Sequence, residues 1–362
     1  MASQRVCVTG ANGYLASWVV VQLLQKGYTV VGTVRDVTDE SRTGHLKKAA
    51  VDMGAVDRLV LVAADLTKGR EAFDAAFAGC ACVFHTASPF FIGGDNYTEE
   101  AFTAPAVDGT KAVLAAAAGA GVEMVVVTAS TACVYCRTGK GAEHEFTEAD
   151  WSGLDALREH GDWYAVSKVR AEQAAHAAAA ELAGAGGPAL RVMHPTLILG
   201  PALQPKLNTS CSLLAAYLHG VKDEVPATSK CIVDVRDCAG AHILAWEKRA
   251  EVSDARCLLI AACPSWRDLC DELRACAGEG SRVPTKHADA AAPVDPAVAM
   301  VPPTVKFACA VAGKLGQPFR DWRVTIRENF ASLVAHGHVP APAGASAAAG
   351  FLKLGAPEAG AL

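Results

Sequence analysis

Six short runs, apolar from end to end, recur through the first 200 residues: 5–9, 29–34, 59–63, 82–86, 124–129 and 190–197. Between them stand longer segments with helical spacing, at 14–26, 71–78, 101–120 and 162–182. A strand that is apolar on both faces must be covered on both faces, and strands joined through helices run parallel. The alternation predicts an α/β fold, a doubly wound parallel sheet of the Rossmann type.

Past residue 200 the rhythm changes. Helices are predicted over 208–219, 236–249 and 265–277, the last capped by Ser265, with strands over 231–235 and 257–262. We expect a core over 1–200, with part of 231–250 returning to it, and a smaller C-terminal substrate lobe over 201–335. The stretch 283–303 reads as irregular loop. The Ala/Gly/Pro composition of 340–362 predicts a disordered tail.

The chain has 362 residues and a net charge of −5, from 33 basic and 38 acidic side chains. No basic stripe offers a footprint for nucleic acid or an anionic membrane, and no apolar run is built to span a bilayer. The thirteen cysteines sit mostly in apolar runs, as at Cys7, Cys82, Cys133, Cys231 and Cys257, without zinc spacing, so the expectation is reduced thiols packed as small hydrophobes. With a strand beginning by Arg5, no secretory segment is expected, and the chain reads as cytoplasmic.

The first strand runs into VCVTGANGYLASWVV. A tight strand-to-helix turn needs a residue that takes positive φ, hence Gly10. A pyrophosphate on the helix N-terminus needs a bare backbone at Gly13, and Ala16 lets the helix lie close to the sheet. Tyr14 and Leu15, which open the helix, are candidate cofactor contacts. The second strand ends in Arg35, where a dinucleotide fold meets the adenosine ribose. An acid there favours NAD, whereas a cation pairs with the 2′-phosphate of NADP. Arg42 is a second candidate cation on the same loop. Asp65 and Leu66 after the third strand suit adenine, and the small residues Thr86, Ala87 and Ser88 let backbone approach the same ligand.

Tyr164 and Lys168 stand at i and i+4 in a helical pattern, and so share a face. An ammonium beside a phenol stabilises the phenolate, and such a tyrosine can exchange a proton with a carbonyl oxygen. Ser130, at the end of the fifth strand, could orient and polarise that carbonyl. The glycine turn, arginine, Asp-Leu, serine and Tyr-x-x-x-Lys follow one another in the order this chemistry needs. His85, His336, His338 and the EHEF stretch at 143–146 are read as packed or solvated rather than metal-binding, so no metal is expected.

These stretches, with GTVRD, FHTASP, VVTAST, WYAVSKVRAEQAA, HPTLILGPALQP and DVRDCAGAHILAWE, resemble the extended short-chain dehydrogenases/reductases, in the branch of dihydroflavonol reductases and cinnamoyl-CoA reductases. The resemblance implies an NADP-dependent reductase acting on a small-molecule carbonyl compound. It implies Ser130, Tyr164 and Lys168 as the triad, and Gly10, Gly13, Arg35, Asp65 and Leu66 as NADP contacts. It further implies Pro195 and Thr196 beside the nicotinamide, with Lys168 also holding its ribose. The chain departs from the family at His194, where Asn is usual, at Ala129, where Ser is usual, and at Tyr135, where dihydroflavonol reductases carry Asn. DWYAVSK likewise differs from the run usual around the tyrosine of cinnamoyl-CoA reductases. The expected substrate is an aldehyde, a ketone or an acyl-CoA thioester, phenylpropanoid- or flavonoid-like or broader, with a broad aldehyde or ketone preferred, and the protein is expected to be a monomer or homodimer. The rival readings are a sugar-nucleotide epimerase and a non-catalytic NADP-binding sensor or structural subunit.

Overall fold

The structure is a computed structural model that describes residues 4–88, 97–140, 143–289 and 306–342. The expected loop over 290–303 and the tail from 343 lie outside the described residues.

The chain begins β1 (Arg5–Thr9), α1 (Tyr14–Gln25), β2 (Thr29–Val34), α2 (Glu40–Asp52), β3 (Leu59–Ala63), a short α3 (Asp74–Phe77) and β4 (Cys82–His85). It continues with α4 (Glu99–Gly119), β5 (Met124–Thr128), β6 (Glu145–Phe146), α5 (Leu154–Glu159), α6 (Trp163–Ala183), β7 (Ala189–Pro195) and β8 (Leu197–Leu199). The last third holds α7 (Thr209–Leu218), β9 (Ile232–Asp234), α8 (Val235–Glu247), β10 (Arg256–Leu259), α9 (Trp266–Ala277), β11 (Lys306–Phe307), α10 (Ala310–Leu315) and α11 (Trp322–Ala335).

Seven strands form the central sheet, in the order β10-β7-β5-β4-β1-β2-β3, and every pairing in it is parallel. The order reverses between β1 and β4, which places the crevice of a doubly wound sheet at the carboxyl ends of those strands. One apolar layer joins α1, α2, α8 and α10 to one face of the sheet. A second joins α4 and α6 to the other. Val6, Val8, Val30 and Val31 are fully buried, as strands with two covered faces must be.

The lobe has its own core, in which Trp266 stacks on Tyr217 with ring centroids 4.9 Å apart. It is not a continuous piece of chain. Besides α8, the sheet takes in β10, and its covering layer takes in α10, both from the span expected to form the lobe. Ser265 caps α9 as expected, accepting from Asp268 N–H at 3.1 Å and donating to the Asp268 carboxylate at 2.6 Å.

Three local expectations are corrected. The run 190–197 is not one strand, because it turns out of the main sheet at Pro195 and re-forms as β8 against β9. EHEF is not a free loop, since β6 pairs with β11 and His144 packs edge-on to Phe146. Cys231 is not a reduced thiol but is disulfide-bonded to Cys263. The antiparallel crossing of Ile232 on Ala262 and Ser229 on Ser265 brings their Cα atoms to 3.9 Å. The helix α2 was not read from the sequence at all. Its residues are mostly polar, and burial of Thr43, Leu46, Ala49 and Ala50 supplies what its own pattern lacks.

Among the buried histidines, two are pushed strongly down by their surroundings. His85 donates or accepts at Thr9 Oγ1, 2.9 Å away, and burial, helped by nearby Lys168, pushes it down to about 3. His242 meets Thr128 Oγ1 at 2.9 Å, and burial pushes it down to about 4 against the pull of the Cys238 carbonyl. Both are neutral in the fold, whereas in the unfolded chain they titrate near 6.5. Stability should be level above pH 6.5 and fall as pH drops from there through 4 towards 3. Urea midpoints measured between pH 8 and pH 4 should show this fall, and His242→Asn should make it shallower.

Candidate active site

Thr9 ends β1 and Gly10 turns the chain with φ 64°. The turn closes with Gly13 N–H on the Gly10 carbonyl at 2.9 Å and Ala11 N–H on the Thr33 carbonyl at 2.9 Å. A Cβ on Gly10 would lie 3.1 Å from the Ala87 Cβ, and one on Gly13 would lie 3.2 Å from the Gly10 carbonyl. Gly13 precedes α1 without any side-chain cap, so the first N–H groups of that helix are left for a ligand. A bare, uncapped helix start beside a closely approaching β4 end fits a dinucleotide pyrophosphate.

The β1 and β4 ends are stitched together at that crevice. Thr86 Oγ1 donates to the Thr9 carbonyl at 2.5 Å, and Ala87 N–H donates to Thr9 Oγ1 at 3.1 Å. Arg35 follows β2, is exposed, and has no ion pair among the described residues. Its neighbour Asp36 turns back to accept from Thr38 N–H at 2.8 Å and Thr38 Oγ1 at 2.6 Å. The carboxylate that could have neutralised Arg35 is therefore occupied. Arg42 is not on the same loop: it lies in α2, paired with Asp39 at 3.0 Å. Asp65 accepts from Thr67 N–H at 2.9 Å and Thr67 Oγ1 at 2.8 Å. Leu66 packs so closely on α4 that a Cβ on Gly109 would come within 2.5 Å of it. The phenol of Tyr14 turns away to donate to the Gly200 carbonyl at 2.7 Å, and buried Leu15 belongs to the core layer.

Ser130 starts the turn after β5, its hydroxyl accepting from Ala132 N–H at 3.1 Å. Tyr164 and Lys168 lie on adjacent turns of α6, with the Lys168 ammonium 5.9 Å from the Tyr164 ring centre. Burial pushes the Tyr164 phenol up to about 12, against the hydrogen bond with Ser130, which lowers it. The phenol is thus raised, where the sequence reading expected Lys168 to lower it. That ammonium donates to Ser88 Oγ at 3.1 Å, and burial lowers it from the usual lysine range. Leu66, Ala87, Ser88, Ala129 and Lys168 line one cleft. Pro195 ends β7, and Thr196 Oγ1 donates to the Cys231 carbonyl at 2.9 Å. The structure thus brings Ser130 to Tyr164 and Ser88 to Lys168, and gives Tyr14, Arg42 and Asp65 other partners.

The sequence reading missed Glu172, one turn beyond Lys168 on the same face. Its carboxylate lines the same cleft and accepts from His194 Nε2 at 2.8 Å and Arg256 Nε at 2.6 Å. Burial would raise this carboxyl, but the His194 charge and the His176, His194 and Arg256 hydrogen bonds hold it well below the usual range. Arg256 also donates to the Glu148 carbonyl at 2.5 Å and the Asp150 carbonyl at 2.6 Å, and lies 4.0 Å from the Trp151 ring centre. Cys133, Glu172 and His194 could together present ligand atoms to a metal. The guanidinium of Arg256 already balances that carboxylate, which makes the cluster an ion-pair hub. The signal for Glu172 was present in the sequence as its i+4 spacing from Lys168.

The profile of the NAD dependent epimerase/dehydratase family matches residues 6–261. The chain is an extended short-chain dehydrogenase/reductase of the cinnamoyl-CoA reductase-like branch. It is 38% identical to cinnamoyl-CoA reductase 2 of Arabidopsis thaliana over 337 residues, 93% of this chain and 94% of that protein. It is 38% identical to tetraketide alpha-pyrone reductase 1 of the same plant over 251 residues, 69% of this chain and 74% of that one. In structure it resembles yeast methylglyoxal/isovaleraldehyde reductase Gre2 complexed with NADPH, at a TM-score of 0.75 and 27% identity, over 93% of this chain and all of that one.

Removing one member of a buried ion pair strands the other, at a cost of about 3–5 kcal/mol. Glu172→Gln should therefore lower the unfolding free energy by that order in a urea titration. Glu40→Gln, in the exposed pair with Lys47, should change it by less than about 1 kcal/mol.

Proposed function

We propose that this NADP-dependent oxidoreductase reduces an aldehyde or ketone carbonyl through Ser130, Tyr164 and Lys168. The single observation that carries the reading is that Tyr164 is hydrogen-bonded to Ser130 while the Lys168 ammonium, one helical turn on, lies 5.9 Å from its ring centre. A protonated phenol held there can give its proton to the alkoxide that carbonyl reduction forms. Running the reaction towards oxidation would demand that the same proton leave first.

Bound NADPH supplies the hydride. Ser130 donates to the carbonyl oxygen and holds it against Tyr164. Tyr164 gives its proton to that oxygen. Lys168 would hold the nicotinamide ribose, and its ammonium would stabilise the phenolate left when Tyr164 gives up its proton. The uncapped start of α1 with Gly10 and Gly13 receives the pyrophosphate. Exposed Arg35 pairs with the 2′-phosphate, while Asp65 and Leu66 stand at the adenine and Pro195 and Thr196 at the nicotinamide. The similarity to NADPH-bound reductases supports this assignment of the cofactor.

Initial rates of NADPH oxidation against aliphatic and aromatic aldehydes, a dihydroflavonol and a hydroxycinnamoyl-CoA test it. Tyr164→Phe should lose ~10²–10⁴-fold in kcat, the range general-acid catalysis supplies. Arg35→Ala should raise KM for NADPH and leave that for NADH nearly as it was, because only NADPH carries the 2′-phosphate. A Tyr164→Phe variant that keeps most of its rate would overturn the triad.

A further inference from the structure

Two residues one turn apart on α1 grip two successive peptides. The Tyr14 phenol donates to the Gly200 carbonyl at 2.7 Å, and Trp18 Nε1 donates to the Pro201 carbonyl at 2.8 Å. Residues four apart lie on one helix face, so the first turns of α1 present a single edge to the chain that leaves β8. Among the partly buried hydrophobic residues described, Tyr14 alone packs against both the α1 layer on the sheet and the core of the lobe.

The helix α11 and its end hold the same segment. Asn329 Nδ2 donates to the Gly200 carbonyl at 2.7 Å, Ala202 N–H donates to Ser332 Oγ at 3.2 Å, and His336 Nε2 donates to the Ala202 carbonyl at 3.0 Å. Gly200 has φ 122°, and a Cβ there would lie 3.2 Å from an Asp234 carboxylate oxygen and 3.2 Å from Val235 Cγ1. A backbone that favours glycine, wedged at the end of β9 and bonded from two helices, gives the Gly200 carbonyl one direction.

Each end of this link adjoins a different half of the cofactor site. Tyr14 follows Gly13, at the uncapped helix start assigned to the pyrophosphate. Gly200 follows β8, which itself follows Pro195 and Thr196, the residues assigned to the nicotinamide. Between Thr196 and Gly200 there is only β8, paired along its length with β9, and Thr196 Oγ1 is bonded to the Cys231 carbonyl at 2.9 Å. A strand held in that way passes a shift of Gly200 on to Thr196. A dinucleotide must fit both places at once, so its affinity depends on their separation, whereas an adenosine fragment meets only one of them.

We propose that Tyr14 is a positioning residue that, through the Gly200 carbonyl, fixes the separation between the pyrophosphate turn and the nicotinamide end of the site. The proposal deepens the NADP reading and rests on it for where the two halves of the cofactor lie. It does not depend on Ser130, Tyr164 or Lys168 carrying out the reduction. The phenol acts through the backbone of a remote segment, and Trp18 holds the next peptide of that segment in the same sense.

Calorimetric titrations of the full chain with NADP+ and with adenosine 2′,5′-bisphosphate test this. The second ligand carries the 2′-phosphate and one phosphate of the pyrophosphate but no nicotinamide. Tyr14→Phe removes one hydroxyl and keeps the ring between the two cores, and a thermal melt checks that it folds. The variant should bind NADP+ roughly 3- to 10-fold more weakly, the factor that one neutral hydrogen bond supplies, and the bisphosphate within about 2-fold of the natural chain. Tyr28→Phe is the matched control: it removes a phenol that donates to Glu247 at 3.2 Å, past the far end of α1, and should leave both affinities unchanged. Equal weakening of both ligands by Tyr14→Phe would make Tyr14 a support of the turn alone and overturn the proposal. So would no weakening of NADP+, or the same selective loss in Tyr28→Phe. A natural chain that binds neither ligand would remove the NADP reading and the proposal with it, an outcome distinct from an unselective variant.

Discussion

The helix that carries Tyr164 and Lys168 is held to the sheet by one buried carboxylate. Glu172 joins α6 to His194 on β7 and Arg256 on β10, and Arg256 reaches on to the chain at Glu148 and Asp150. Lys168 and Tyr164 ride on the same face of that helix, one and two turns earlier. A helix packed by alanines alone can slide and roll at little cost, since small side chains interlock weakly. A charge in a dry interior cannot move without losing its partners. The hub therefore sets the register of α6, and with it the distance between the tyrosine and the strand end that presents Ser130.

The second joint ties the lobe to the glycine turn. The Gly200 carbonyl accepts from Tyr14 at 2.7 Å and from Asn329 at 2.7 Å, so the first residue of α1, β8 and α11 meet at one oxygen. Trp18 donates to the Pro201 carbonyl at 2.8 Å. Thr325 donates to the Asp234 carboxylate at 2.9 Å, and Arg320 N–H donates to Asp237 at 2.6 Å. Three of these bonds, those of Asn329, Thr325 and Arg320, come from the lobe's last helix or its approach.

The parallel sheet was legible because its strands are apolar throughout, a pattern that few other structures share. The glycine turn was legible because steric rules at Gly10 and Gly13 act locally. Tyr164 and Lys168 were legible because helical spacing alone places them together. Helix α2 was not legible, since its polar sequence gains order only by lying on the layer that Leu46 enters. Nor was the break at Pro195, because the run 190–197 stays apolar while the chain leaves one sheet for another.

Sequence by itself determined the fold class, the glycine turn after the first strand and the helix face that carries the tyrosine and lysine. These follow from local sterics and from periodicities of 2 and 3.6 residues, which contacts between remote segments do not alter. Only the tertiary structure decided which charges remain free. Asp36 turns onto Thr38, Asp39 takes Arg42, and Arg256 takes Glu172, leaving Arg35, Arg137 and Lys230 without described partners. Electrostatic pairing depends on distances between groups that the chain order keeps far apart, and on the burial that gives those distances their weight.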